Sequence, residues 1–308
     1  MVDMSTITVS RQDEIDCDHG PHAFLCDLEA DSSLFQPERL HDRLAALDDL
    51  DARFEGSDSE ELTTSPIYDR VKALRTRLEA ANAEIYQSIR SEIVSSSQPR
   101  ALLQWLLPWL QDPASPKEFE SPLPVFGFDT RDELVSGILQ LREPNESNLH
   151  RSPEMVPYQP TPVRHILQLI AANVLSEDDI FVDLGSGLGH VPLLVSMLTG
   201  VRSLGIEVQP DHVASAQECA RSLHLNRVRF ISEDARAADL ASGTVFYLYS
   251  PFKGSILTDV LSTLRKESTH RPIKICTLGP CTRTVANETW LKTSALPDTA
   301  RITVFEPR

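Results

Sequence analysis

The glycine turn at residues 185–189 constrains this chain more than any other feature. The apolar run Ile180–Leu184 reads as a buried strand and passes straight into Asp183-Leu184-Gly185-Ser186-Gly187-Leu188-Gly189-His190, where a helical pattern begins at once. Glycines at a strand-to-helix junction let the backbone adopt left-handed conformations and approach a ligand closely. They also place amides and the positive end of a helix beside it. A chain with this junction is expected to form an α/β sheet with a ligand crevice at the strand ends.

Two ligand classes use such a junction. Dinucleotide binders carry G-x-G-x-x-G, in which the third glycine lets helix and strand close around a pyrophosphate. Here the spacing is G-x-G-x-G, His190 stands where that third glycine would fall, and the acid Asp183 lies two residues before Gly185. S-adenosylmethionine has no phosphate to neutralise, but a sulfonium, an ammonium and a carboxylate. An acid at the strand end suits those cations and would repel a pyrophosphate. Glu207, 24 residues after Asp183 at the end of the next strand pattern, is placed to accept hydrogen bonds from both ribose hydroxyls. Asp234, in Ser232-Glu233-Asp234-Ala235 after the third strand pattern, is a candidate acceptor for an adenine amino group.

After Pro160 strands and helices alternate, as in a sheet covered on both faces. Strands are expected at 180–184, 203–208, 228–232, 244–249 and 272–278, with helices over 211–223 and 255–265 and another opening at Thr161 and Pro162. Two further strand-like runs, 289–293 and 301–305, are joined by a turn containing Pro297 and Asp298. They predict an antiparallel hairpin at the end of a mostly parallel sheet.

The amino-terminal half reads differently. Residues 1–36 are acidic and weakly periodic, an arm or cap; 37–150 form a helical companion domain; 151–308 form the ligand-binding domain. The clearest helix is expected from Ser65 as cap and Pro66 through Ile93. Ile67, Val71, Leu74, Leu78, Ala81, Ile85 and Ile89 make one apolar stripe along it. The segment 102–110, with Trp105 and Trp109, is apolar nearly all round and reads as buried. A short helical piece is expected over 129–141, between proline-rich stretches. Cys17, His19, His22 and Cys26 match no usual zinc spacing, so no metal is expected.

Charge narrows the partners. Of the net charge of −16, residues 1–65 supply −13 (17 acids, 4 bases), residues 66–150 supply −3, and the rest sum to zero. Such a surface disfavours a nucleic-acid groove. No apolar run reaches the roughly 20 residues of a membrane span, and the start, Met-Val-Asp-Met-Ser, lacks a signal-peptide pattern. Five cysteines without CxxC pairs read as reduced thiols, and a cytoplasmic address is expected.

With these residues in view, the sequence looks like a class I methyltransferase. Residues 178–191, Asp178 to Val191 around the glycine turn, resemble the non-SET histone-lysine methyltransferases, which act on the nucleosome core. Tyr158-Gln159-Pro160-Thr161 is similar to that family's loop, in which a tyrosine and a threonine contact the cofactor. The resemblance spans roughly 158–252 and implies a Rossmann-like methyltransferase sheet with S-adenosylmethionine as cofactor. It assigns Tyr158, Thr161, Asp183, Gly185, Ser186, Gly187, Gly189, Glu207, Asp234 and Ala235 to the cofactor. Pro160 replaces an acid of the family's loop, Tyr249 stands where the family has asparagine, and the family's DNA-gripping basic stretch has no counterpart.

Amine-directed methyltransferases carry Asp/Asn-Pro-Pro-Tyr/Phe after the fourth strand. Here Tyr249-Ser250-Pro251-Phe252 occupies that place, which makes Tyr249, Ser250 and Phe252 the catalytic candidates: Ser250 as acceptor, Phe252 as the aromatic, Tyr249 as acceptor or proton relay. The alternative is that Tyr247 and Tyr249 finish a buried strand and Pro251 and Phe252 make the turn. The segment 277–281 would shape the acceptor pocket or simply turn the chain. The expected activity is methyl transfer to a protein or small-molecule acceptor, with nitrogen favoured. The rivals are a cofactor-binding module without turnover and an NAD-dependent oxidoreductase on the same topology.

Overall fold

The computed structural model describes residues 20–54, 66–96, 102, 104–106, 127, 129–144, 152–172 and 174–308. The chain divides into two compact units, Met1–Ile85 and Tyr86–Arg308.

In the first unit, α1 (Pro21–Ala30), α2 (Leu40–Phe54) and the first part of α3 (Pro66–Ser95) surround a core of Leu25, Leu34, Ala46, Leu50, Ile67, Val71, Leu74 and Leu78. The end of the expected weakly ordered arm is therefore structured. α1 starts at a proline, buries Leu25 completely, and is followed by a 3-10 turn that Asp31 caps through the amide of Ser33. The α3 stripe holds from Ile67 to Leu78, but the next buried position is Asn82, with Ala81 and Ile85 only partly covered. The reason is Arg43, fully buried on α2. Its Nε donates to Asn82 Oδ1 at 2.7 Å, and its Nη1 donates to the carbonyls of Leu34 and Gln36 at 2.5 and 2.6 Å. A buried guanidinium needs acceptors, and this one selects a polar residue where periodicity alone asks for an apolar one.

Ser65, Cys17, His19 and Trp109 lie outside the described residues. Leu102 and Leu106 are fully buried, as the apolar segment led us to expect.

The second unit is built on seven strands: β1 (Ile180–Leu184), β2 (Arg202–Glu207), β3 (Val228–Ser232), β4 (Val245–Tyr249), β5 (Lys274–Leu278), β6 (Leu291–Lys292) and β7 (Thr303–Pro307). Their order is β3-β2-β1-β4-β5-β7-β6. The first five are parallel, and β7 runs antiparallel to both β5 and β6. All seven strand expectations coincide with the structure to within two residues at either end, although the run at 289–293 keeps only Leu291–Lys292 as strand.

Helices α5 (Val163–Ala171), α6 (His190–Thr199), α7 (Pro210–Ser222) and α8 (Gly254–Ser268) occur where the pattern predicts them. After β5 the chain turns at Gly279 and Pro280 into helix α9 (Cys281–Ala286), six residues long, and Pro280 and Cys281 border the cavity described below, as expected of the 277–281 segment. The piece expected over 129–141 is α4 (Thr130–Leu139), with a capping box at Asp129 and Asp132. Asp132 Oδ1 also accepts the amide of Val163 at 2.8 Å, so one carboxyl caps both α4 and α5.

Strand order reverses at β1. From there the chain steps outward to β2 and β3 on one side and to β4 and β5 on the other, so the carboxyl ends of β1 and β4 flank an open crevice.

Candidate active site: the crevice at the carboxyl end of the first strand

A cavity of about 540 Å3 opens at this switch point. Its wall includes Tyr158, Thr161, Asp183, Gly185, Ser186, Glu207, Asp234, Ala235, Tyr249, Ser250 and Phe252. The structure thus brings together, around one space, eleven of the thirteen residues that the sequence singled out. Gly187 and Gly189 shape the turn itself.

The turn needs its glycines. Gly185, Gly187 and Gly189 have φ of 81°, 52° and 85°. A Cβ on Gly185 would sit 2.2 Å from the Pro251 side chain, on Gly187 2.1 Å from the Tyr158 ring, and on Gly189 2.5 Å from the Phe230 ring. The amides of Gly185 and Ser186 donate to the carbonyl of Ile206, at 2.8 and 3.0 Å, which ties the turn to the end of β2.

Glu207 is buried and braces the turn. One carboxylate oxygen accepts the amide of Gly187 at 3.0 Å, the other that of Gln209 at 2.9 Å. The expectation assigned these oxygens to ribose hydroxyls; in the structure each already accepts one backbone bond and retains a further lone pair. Asp183, 3% exposed, lies close enough for the charge of Glu207 to act on it. Burial, and then that neighbouring charge, push its carboxyl well above the ordinary range. Ser186 Oγ is buried and has no hydrogen-bond partner among the described residues. Two buried acids and an orphaned hydroxyl around a cavity fit a ligand that carries positive charge and hydroxyl groups.

Asp234, on the cavity wall, is also held by a neighbouring base. It holds Arg236 through Nη2 at 2.7 Å and Nε at 3.0 Å, and it accepts that residue's amide at 2.9 Å. The Arg236 hydrogen bond is the main reason its carboxyl titrates below the usual range. Ala235, buried, packs into the core under β4.

On the other side of the cavity, Thr161 Oγ1 lies 3.4 Å from the hydroxyl of Tyr247, whose ring is buried and stacks on Phe181 at 6.2 Å. Burial pushes the Tyr249 phenol up to about 12. Ser250 takes a left-handed φ of 44°. Its Oγ donates to the carbonyl of Leu278 at 3.1 Å and accepts the amide of Cys281 at 3.0 Å, which fastens the loop after β4 to the start of α9. Phe252 is buried in the core with Ile256 and Leu257. Ser250 and Phe252 thus border the cavity and at the same time make these loop and core contacts. A serine without the carboxylate or amide reach of the amine-directed motif finds backbone partners instead.

Four further residues beside the cavity carry no mark in the sequence: Glu154, Met155, Val156 and His212. Glu154 accepts the amides of Ser255 and Ile256, each at 3.1 Å, and the Ser255 hydroxyl at 2.7 Å, capping α8 from 101 residues away. Met155 forms a β-bridge with Phe252, and Val156 donates to the carbonyl of Pro251. His212, on α7, packs its ring against that of Tyr158, centroids 5.1 Å apart. Such partners are distant in sequence, and no local pattern marks them.

The family model described as Histone methylation protein DOT1 matches residues 153–244, less than a third of the chain. No curated protein matches the chain. Among solved structures, an RNA methyltransferase from Salinibacter ruber in complex with S-adenosyl-L-homocysteine is 25% identical, over 48% of this chain and 92% of its own, with a TM-score of 0.39. A SAM-dependent methyltransferase from Aquifex aeolicus is 15% identical over 46% and 88%, TM-score 0.38. The precorrin-6y C5,15-methyltransferase from Geobacter metallireducens is 14% identical over 50% and 92%, TM-score 0.38. With the glycine turn, the acids at its rim and the matched segment together, the chain is a class I, S-adenosylmethionine-dependent methyltransferase, DOT1-like over residues 153–244.

Proposed function

We propose that the enzyme methylates a nitrogen on a protein or small-molecule acceptor that enters between Tyr249 and the loop of Tyr158. The observation that carries this reading is the juxtaposition, in one cavity, of the acid pair Asp183 and Glu207 with the phenol of Tyr249. The match to a histone-methylation family supports a protein amine as the acceptor. The acidity of residues 1–65 supports a protein over a nucleic acid.

Bound, the cofactor supplies a methyl group on a cationic sulfur, open to in-line displacement by an acceptor lone pair. Asp183, Glu207 and Ser186 hold it from the turn side, Tyr158 and Thr161 from the loop, and Asp234 and Ala235 border the far end. Tyr249 keeps its proton at neutral pH, because burial raises its phenol to about 12. It orients the acceptor by hydrogen bonding and is not a base. Ser250 and Phe252 fix the shape of the loop. Rate comes from alignment and exclusion of water, not from covalent chemistry of side chains.

The same proposal divides the chain into an acidic arm or cap (1–36), a helical companion (37–150) and the methyltransferase domain (151–308), and gives it a cytoplasmic address. No helix among the described residues is long and apolar enough to cross a membrane.

A second reading, a cofactor-binding module without turnover, is favoured by the commitment of Ser250 Oγ to Leu278 and Cys281. Labelled S-adenosylmethionine, incubated with the enzyme and a cell extract, separates the two: label on a protein or metabolite, lost in Tyr249→Ala while cofactor still binds, supports transfer. Binding without any labelling supports the module. Calorimetry with NAD tests the oxidoreductase, and binding of NAD in place of S-adenosylhomocysteine would overturn the methyltransferase assignment.

A further inference from the structure

Tyr158 is gripped from three sides by three elements. Below it is the turn, where a Cβ on Gly187 would lie 2.1 Å from the ring. Beside it is the imidazole of His212 on α7, tilted by 58° at 5.1 Å. At its tip the hydroxyl meets Nδ1 of His190, the first residue of α6, at 3.1 Å. The His190 contact is the directional one of the three, and it joins the loop before α5 to the helix that the glycine turn opens.

Both partners are suited to a neutral hydrogen bond. Burial lowers the imidazole to about 4 and raises the phenol, so neither carries charge at physiological pH. Among charged groups, Glu143, Asp183 and Glu207 act on the phenol, all in the sense that keeps its proton on. The residue sits where dinucleotide folds need glycine, and a side chain there has a purpose only if it touches something. Here it touches the tip of the loop that borders the cavity.

We propose that His190 is a positioning residue, whose Nδ1 fixes the Tyr158 hydroxyl and thereby holds the 152–161 loop over the glycine turn in the conformation that accepts the cofactor. The inference rests on the S-adenosylmethionine reading for its consequence, but the latch itself is a property of the free protein.

The test uses the full chain in five forms: wild type, His190→Leu, which keeps bulk and removes the bond; His190→Asn, which places a polar atom near the Nδ1 position; Tyr158→Phe, which leaves α6 untouched; and the double variant His190→Leu/Tyr158→Phe. Calorimetry with S-adenosylhomocysteine is expected to show a loss of about tenfold for His190→Leu and for Tyr158→Phe, the worth of one hydrogen bond. The double variant should be no weaker than either single one, and His190→Asn should recover most of the affinity. Hydrogen exchange without ligand should show faster exchange of the peptide covering 154–161 in His190→Leu and Tyr158→Phe, and protection restored in His190→Asn. Wild-type affinity in His190→Leu, multiplying losses in the double variant, or unchanged exchange in both single variants would overturn the proposal. Should His190→Leu fail to fold, Tyr158→Phe and His190→Asn decide it by the same two readouts. A wild type that does not bind S-adenosylhomocysteine sinks the cofactor reading instead, and the exchange comparison still judges the latch.

Discussion

Glu207 Oε2 accepts the amide of Gly187 at 3.0 Å, so the acid at the end of β2 holds open the turn at the end of β1. The bond crosses from one parallel strand end to its neighbour, and it couples the shape of the glycine turn to a residue that also lines the cavity. Replacing Glu207 by Ala removes this brace together with the acceptor of the Gln209 amide. Binding of S-adenosylhomocysteine should weaken by about 1–3 kcal/mol. Titration calorimetry reads this directly, and an unchanged affinity would leave Glu207 with a backbone role alone.

Glycine positions in the turn and at a helix end provide a matched pair. Gly187 and Gly200 both have positive φ, 52° and 71°, but a Cβ on Gly187 meets the Tyr158 ring while nothing lies within 4 Å of one on Gly200. Gly200→Ala should therefore cost about 1 kcal/mol, the left-handed penalty alone, and leave ligand affinity intact. Gly187→Ala should displace Tyr158 and abolish measurable binding. Denaturant melts and calorimetry on the two variants make the comparison.

Glu154 provides α8 with a cap from another part of the chain. Glu154→Ala should lower stability, as loss of an N-cap does. Through the Met155 and Phe252 bridge it should also loosen the loop after β4. Urea unfolding followed by circular dichroism measures the first effect, and hydrogen exchange over 249–256 the second.

Acid stability should respond in opposite senses to two residues. Burial raises Asp132 to about 6 from 3.8, so its folded form binds the proton more tightly than its unfolded form. Its contribution is greatest below about pH 4 and is lost as pH rises through 6. Burial lowers His190 to about 4 from 6.5, so its contribution is complete above pH 6.5 and is lost as pH falls through 4. Between pH 4 and 6 the two slopes oppose each other. Asp132→Asn should make the melting temperature fall more steeply on acidification, and His190→Asn should flatten it. Melting curves from pH 4 to 7.5 that shift in parallel for both variants would refute this assignment.

The sheet was legible because its strands announce themselves. Ile180–Leu184 and Val228–Ser232 are short, apolar and bounded by turn formers, and burial on both faces leaves little else for such runs to do. Helix α9 was not, since six residues, Cys281–Ala286, make fewer than two turns and so show no repeat to count. The glycine turn and the acids of the cavity wall were legible as well, because glycine spacing and strand-end acids are local features. The long-range polar contacts were not: Ser250 depends on Leu278 and Cys281 beside the cavity, and in the helical unit Asn82 answers to Arg43, partners 28, 31 and 39 residues away. Long-range polar bonds leave no trace in a pattern of hydrophobicity.

The upward shift that burial and the charge of Glu207 impose on the Asp183 carboxyl has a thermodynamic corollary. A sulfonium or ammonium that docks beside it favours the charged form, so wherever the carboxyl still holds its proton the crevice acts as an ion exchanger, releasing H+ as it takes up its guest. The apparent heat of association should then track the ionisation enthalpy of the buffer, and affinity should climb with alkalinity until the carboxyl is already bare.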